Sequence, residues 1–148
     1  MILTLLLAAQ LRSVDLSFEG IECASCVESL PARIQRLRGV ESAKVDAANQ
    51  ILAVRLAAEN RVRLEQIRDA VEQDGTKTRQ ATVTIQGTLV EEGNRWLLKV
   101  PNGSSFEISL DGALPSAQYS LKAGRATVSG VIKNLRVLSI TPASIESD

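Results

Sequence analysis

From Val14 to Phe18 apolar and polar residues alternate, with Val14, Leu16 and Phe18 on one side and Asp15 and Ser17 on the other. A period of two marks a half-buried strand, so this stretch is predicted to be extended. Gly20 interrupts the pattern, and beyond it the apolar spacing lengthens. Val27, Leu30, Ile34 and Leu37 recur at intervals of three and four, which places them on one face of a helix from Cys26 to Arg38. Gly39 is positioned as its C-terminal cap, with Arg36 and Arg38 complementing the negative end of the helix dipole. Pro31 conflicts with an unbroken helix, because it has no N–H and crowds the preceding turn. A kink, or a regular helix that starts there, is expected.

The alternation then returns. Ala43 and Val45 share a face of a strand from Val40 to Asp46, and Leu52, Val54 and Leu56 share a face of another from Ile51, with a polar turn at Ala47 to Gln50. Asn60 is placed to cap a second helix whose apolar residues Leu64, Ile67, Ala70 and Val71 fall on one side. Asp74 and Gly75 stop it, and Lys77 to Ala81 opens a further extended segment. The order strand, helix, strand, strand, helix, strand over residues 13–81 predicts a ferredoxin-like domain with both helices on one face of a four-stranded sheet.

Residues 82–141 read as all-β. Thr82 to Val90 and Arg95 to Val100 form a hairpin around Gly93 and Asn94, and Asn102 with Gly103 turns the chain into Phe106 to Leu110. After a looser stretch from Asp111 to Gly124 come strands at Arg125 to Ile132 and Leu135 to Ile140. Five short strands resemble a small OB-like barrel. The fold class is therefore α+β, a ferredoxin-like domain followed by an all-β one. No Pro-, Gly- or Ser-rich linker separates them, so the boundary near Ala81 is expected within one extended segment. Residues 1–12 are taken as a tail or signal remnant, and residues 142–148 as a disordered tail.

Composition narrows the function. Lys plus Arg and Asp plus Glu number 17 each, so there is no net field to recruit nucleic acid, and no nucleic-acid partner is expected. Trp96 and Phe106, on neighbouring strands, are expected in the core rather than stacked on bases. Arg33, Arg36, Arg61, Arg63 and Arg68, interspersed with acids, read as solvated helix faces. Met1 to Ala9 are apolar apart from Thr4, like the later part of a secretory signal, although no Lys or Arg precedes them. The run is far shorter than the roughly 18 residues that span a bilayer. Export to a periplasmic or extracellular space is the favoured expectation, a cytoplasmic location the alternative, and no integral membrane span is expected.

Chemistry concentrates at Gly20, Ile21, Glu22, Cys23, Ala24, Ser25 and Cys26, which holds the only two cysteines. A helix starting at or just before Cys26 directs unpaired N–H groups and its positive dipole end at the sulfurs, favouring thiolates. Two thiolates form a soft, low-coordination pair suited to Cu(I) and other thiophilic ions, among them Hg(II), Zn(II) and Cd(II). With no histidine and no third cysteine in the chain, a tetrahedral zinc site would need carboxylates or a second chain. Nucleophilic catalysis has no histidine to act as base, and the protein is not expected to be an enzyme.

These residues resemble the heavy-metal-associated domain family of copper chaperones, copper-transporting ATPase repeats and the periplasmic mercury-binding protein. The family's glycine, apolar residue and Cys-x-x-Cys are met by Gly20, Ile21, Cys23 and Cys26. The Gly-Val after its first helix is met by Gly39 and Val40, the start of its hairpin turn by Val45 and Asp46, and the glycine after its second helix by Gly75. The resemblance implies that Cys23 and Cys26 bind a metal ion, with Gly20, Ile21 and Gly75 shaping the loops. It also implies transfer by ligand exchange to a metal-transporting ATPase or another Cys-x-x-Cys protein. Three residues depart from the family. Ile21 replaces a methionine, Glu22 places a carboxylate beside Cys23 that opposes thiol ionisation, and Thr76 replaces an aromatic residue, leaving one wall of the site open.

Two other classes compete with metal carriage. A thiol–disulfide oxidoreductase also places Cys-x-x-Cys at a helix start, but no Trp-Cys-Gly-Pro-Cys loop is present. An interaction module working through the β half, with a dormant cysteine pair, is the third.

Overall fold

The computed structural model describes residues 10–20, 24–111, 115 and 121–147. The expectations for Met1 to Ala9, Ile21, Glu22 and Cys23 lie outside the described residues. The chain runs β1 (Leu11–Glu19), α1 (Ala24–Gln35), β2 (Val40–Asp46), β3 (Ile51–Leu56), α2 (Leu64–Glu72) and β4 (Lys77–Glu92). Strands β5 (Arg95–Lys99), β6 (Ser105–Ile108), β7 (Gly124–Ile132) and β8 (Ser139–Ser147) follow.

Strand β1 lies between β3 and β4 and is antiparallel to both, and β2 lies outside β3. The alternation read from the sequence decides which side is covered. Val14, Leu16 and Phe18 are buried with Leu52, Val54 and Val83, as are Leu30 and Ile34 of α1 and Leu64, Ile67 and Val71 of α2. Truncating Phe18, at 1% exposure, would cost about 3–5 kcal/mol through lost burial and the cavity left behind.

The sixteen residues of β4 run through both halves of one continuous eight-stranded sheet. One edge pairs with β1 from Lys77 to Ile85 and then with β5 from Thr88 to Glu92, while the other pairs with β7 from Ala81 to Leu89. The strand passes Ala81 without a break. The second half closes in the order β4, β5, β6, β8, β7 and back to β4, with β6 and β8 parallel and every other pair antiparallel. Close approach at two points demands glycine. A Cβ at Gly87 would lie 2.7 Å from the Lys99 carbonyl oxygen, and one at Gly130 would lie 2.3 Å from that of Thr141. Leu89, Leu98, Phe106, Val128 and Ile140 belong to the same continuous apolar cluster as the ferredoxin-like half.

Several boundaries differ from the sequence reading. Leu11 and Arg12 belong to β1, where Leu11 is 2% exposed, and residues 1–12 are not all tail. Residues 142–147 are strand: β8 begins at Ser139, not Leu135, and pairs with β7 as far as Ser147 opposite Ala126. Pro142 is buried there, so its missing N–H and the glycine opposite concealed a strand that the alternation rule does not recognise. Helix α1 ends at Gln35, three residues before Arg38, and continues through Pro31. Gly39 therefore shapes the turn into β2 instead of capping α1; its φ is +105°, and a Cβ there would meet the Asn60 Cβ at 2.6 Å.

Asn60 does not cap α2. The N-cap is Arg63, whose N–H donates to Gln66 Oε1 at 2.8 Å. Asn60 is 2% exposed and fastens the connection before the helix: Nδ2 donates to the carbonyls of Leu11 (2.9 Å) and Ala57 (2.7 Å), and Oδ1 accepts from Val62 N–H (3.0 Å). Three partners in the interior bind this side chain more firmly than one exposed helix end would.

Polar contacts join the halves. Asn102 Nδ2 donates to the Val62 carbonyl at 2.9 Å, and the Arg136 guanidinium in the β7–β8 connection pairs with Glu72 at the end of α2. Leu135, in the same connection, is 1% exposed.

Candidate metal centre

Two glycine turns frame the end of the ferredoxin-like half where β1 gives way to α1. Gly20, with φ +92°, leaves β1 in a conformation that L side chains rarely adopt. Gly75, with φ +93°, ends the turn after α2, and its N–H donates to the Glu72 carbonyl at 3.0 Å. The two turns are neighbours, because Glu19 pairs with Lys77, and a Cβ at Gly20 would touch the Lys77 nitrogen at 3.9 Å.

Helix α1 begins at Ala24, so Cys26 is in its first turn, and no acidic residue occupies that turn. The unpaired N–H groups and positive dipole end expected for thiolate chemistry are thus at this end of the molecule. Of the residues read as the site, Gly20, Cys26 and Gly75 fall on these adjoining elements. Ile21 and Cys23 lie outside the described residues.

The turn facing Gly20 is held by side-chain hydrogen bonds at Thr76, the residue that departs from the family's aromatic. Thr76 is 3% exposed; its N–H and Oγ1 donate to Asp74 Oδ1 at 3.1 and 2.6 Å. Asp74 Oδ2 accepts from Arg33 Nη1 of α1 at 3.0 Å, linking the end of the α2 segment to α1. Burial pushes the Asp74 carboxyl upward, but the Thr76 and Arg33 hydrogen bonds outweigh it and hold it below the ordinary range.

Glu72 is held in the same way. Burial pushes it up, and the stronger combined pull of Thr78 Oγ1, at 2.7 Å from Oε2, and Arg136 brings it below the usual value. Its carboxylate ties α2, the start of β4 and the β7–β8 connection together.

Two arginines read as solvated are therefore structural. The Arg33 side chain is 16% exposed; that of Arg68 is 19% exposed, pairs with Asp69 at 3.0 Å and lies 3.4 Å from the Leu135 carbonyl. Their partners are distant in sequence, except for Asp69, so charge interspersion could not distinguish them from surface residues. Among the described residues no group of three or more His, Cys, Asp and Glu is arranged to hold a metal ion, and no helix is long and apolar enough to cross a membrane.

Residues 15–78 match the model of the heavy-metal-associated domain family. Among solved structures the chain is similar to the CopZ metallochaperone, at 27% identity over 45% of this chain and 97% of that one, with a TM-score of 0.41. It is also similar to the N-terminal domain of PacS from Synechocystis PCC6803, at 29% identity over 46% and 94%, with a TM-score of 0.39. A third is the N-terminal domain of a potential copper-translocating P-type ATPase from Bacillus subtilis, in its Cu(I)-loaded state, at 24% identity over 46% and 84%, with a TM-score of 0.42. No match was found among curated proteins.

Proposed function

We propose that the protein binds one soft metal ion, with Cu(I) the foremost candidate, through Cys23 and Cys26, and passes it to a partner by exchange of thiolate ligands. It acts as a carrier, chaperone or buffer and not as an enzyme. The observation that supports this reading is the position of Cys26 in the first turn of α1, just after β1 and Gly20, inside the segment matching the heavy-metal-associated domain, with Cys23 three residues before it in sequence. A helix start lowers the cost of ionising a thiol, and two thiolates leave a Cu(I) ion open to an incoming third sulfur. In transfer the ion keeps its oxidation state. Each incoming cysteine loses a proton as its sulfur bonds the metal, and each displaced thiolate regains one.

A metal-transporting ATPase or another Cys-x-x-Cys protein is the proposed recipient or donor. The ring β4, β5, β6, β8, β7, with its single parallel pair, supports an OB-like reading of the second half. Export remains part of the proposal and is tested by the mass of the mature amino terminus.

Anaerobic titration of reduced protein with Cu(I), in competition with a chromophoric chelator, tests the central claim. One equivalent should bind, and Cys23→Ser or Cys26→Ser should abolish that binding. Competition unaffected by either substitution overturns the proposal; insulin reduction with a catalytic dithiol potential would instead identify an oxidoreductase.

A further inference from the structure

On the face of the sheet away from the helices, the pairing of β1 with β4 slips. Leu16 stands opposite Ala81 and Phe18 opposite Thr78, so Arg79 and Gln80 together face the single residue Ser17. This is a β-bulge, a device that re-aims side chains and interrupts pairing. Ser17 Oγ fastens it, donating to the Gln80 carbonyl at 3.1 Å and lying 3.3 Å from the Gln80 N–H.

The bulge lies just past the end of β7, whose last residue Ile132 pairs with Ala81, and Lys133 follows. Ser17, Arg79, Gln80 and Lys133 line a cleft of about 540 Å³. Its two charged residues are both cationic, one from each half of the molecule. Lys133 makes no ion pair among the described residues. Arg79 has Glu19 at 3.7 Å, and both side chains are about half exposed, so that pairing is weak. An open cleft with a guanidinium, an ammonium and an amide, and no aromatic or apolar lining residue, suits a hydrated anion presented on a chain. A compact ligand would need to bury most of its surface.

We propose that this cleft receives carboxylates from an acidic segment of a protein partner, docked on the sheet face of the molecule beside the β1 exit that leads to the cysteine loop. This rests on the metal-transfer reading, since a recipient must approach that end, and it adds an anchoring contact outside the metal loop. Because Lys133 belongs to the barrel half, the second domain acquires a role in recognition.

The test uses the full chain carrying Cys23→Ser and Cys26→Ser, without metal, so its result is independent of Cu(I) binding. Titration with a capped hexapeptide of alternating glutamate and aspartate, followed by amide resonances at low ionic strength, should shift Ser17, Gln80 and Lys133 saturably. Binding should weaken at least about tenfold in Arg79→Gln/Lys133→Gln, as expected for loss of two charge-assisted contacts, and strengthen in Glu19→Gln, which frees Arg79. All three residues are exposed, and the amide spectrum of each variant verifies its fold. The proposal is overturned if these resonances do not move, if the double variant binds equally well, or if citrate or inorganic phosphate binds as tightly as the peptide. Failure of Cu(I) to bind the unmodified protein would overturn the carrier reading and leave the peptide result standing.

Discussion

The side-chain amide of Asn60 donates to the carbonyl oxygen of Leu11, a residue 49 positions earlier, inside the protein. The same side chain holds Ala57 and Val62, and the turn at Gly39 rests against its Cβ position. One asparagine thus fixes the start of β1, the end of the β3 connection and the approach to α2. Asn60→Ala leaves buried backbone groups without partners and should lower the unfolding free energy by about 1–3 kcal/mol, measured by urea denaturation. Asn60→Asp should also destabilise, because a carboxylate cannot donate to the Leu11 and Ala57 carbonyls.

Gly87→Ala and Gly130→Ala each place a methyl group against backbone that cannot turn aside. Overpacking of this kind costs about 1–3 kcal/mol. Both variants should show a lower denaturant midpoint, with Gly130→Ala the worse because its nearest clash is shorter. Gly93→Ala, at a turn with open space around it, should lose less, through its positive φ of +64° alone.

Arg136 and Glu72 join the barrel to the end of α2. Arg136 is largely exposed, so the pair should contribute only about 0.5 kcal/mol in a double-mutant cycle and less at high salt. Glu72→Ala should cost more than Arg136→Ala, because it also removes the acceptor of Thr78.

Glu72 and Asp74 have native pKa values below their ordinary values of 4.5 and 3.8. The unfolded chain therefore binds protons first as pH falls. The stabilisation from these groups is complete above about pH 4.5 and is lost as pH drops through their depressed native values. Urea midpoints recorded between pH 6 and pH 2 should fall on the acid side, and Glu72→Gln combined with Asp74→Asn should flatten that dependence.

The order of elements through Lys77 was legible because each carries its own period. Val14, Leu16 and Phe18 alternate, Leu64, Ile67 and Val71 recur at helical spacing, and both sets are buried as that spacing requires. The β half was legible in strand count but not in its last strand, where Pro142 and consecutive exposed residues Ala143 and Ser144 erase the alternation of β8. At the end where β1 gives way to α1, the turns at Gly20 and Gly75 and the helix start beside Cys26 could be read from identity and spacing. The Arg33–Asp74–Thr76 link could not, since it joins residues 41 positions apart through side chains that look like surface polar groups in sequence. Asn60 was misassigned because the residue type that caps helices also suits a buried tether with three partners.

Because β4 is held in common by both halves and has no interruption at Ala81, there is no place for a swivel between them. Whatever meets the cysteine end encounters a body in which the barrel already has its orientation. The search for a productive pose then loses the rotational freedom that a tethered pair of modules would have. Under the proposed transfer reading, selectivity among recipients becomes a question of outline, decided by which molecules fit around the barrel as well as by which sulfurs attract the ion.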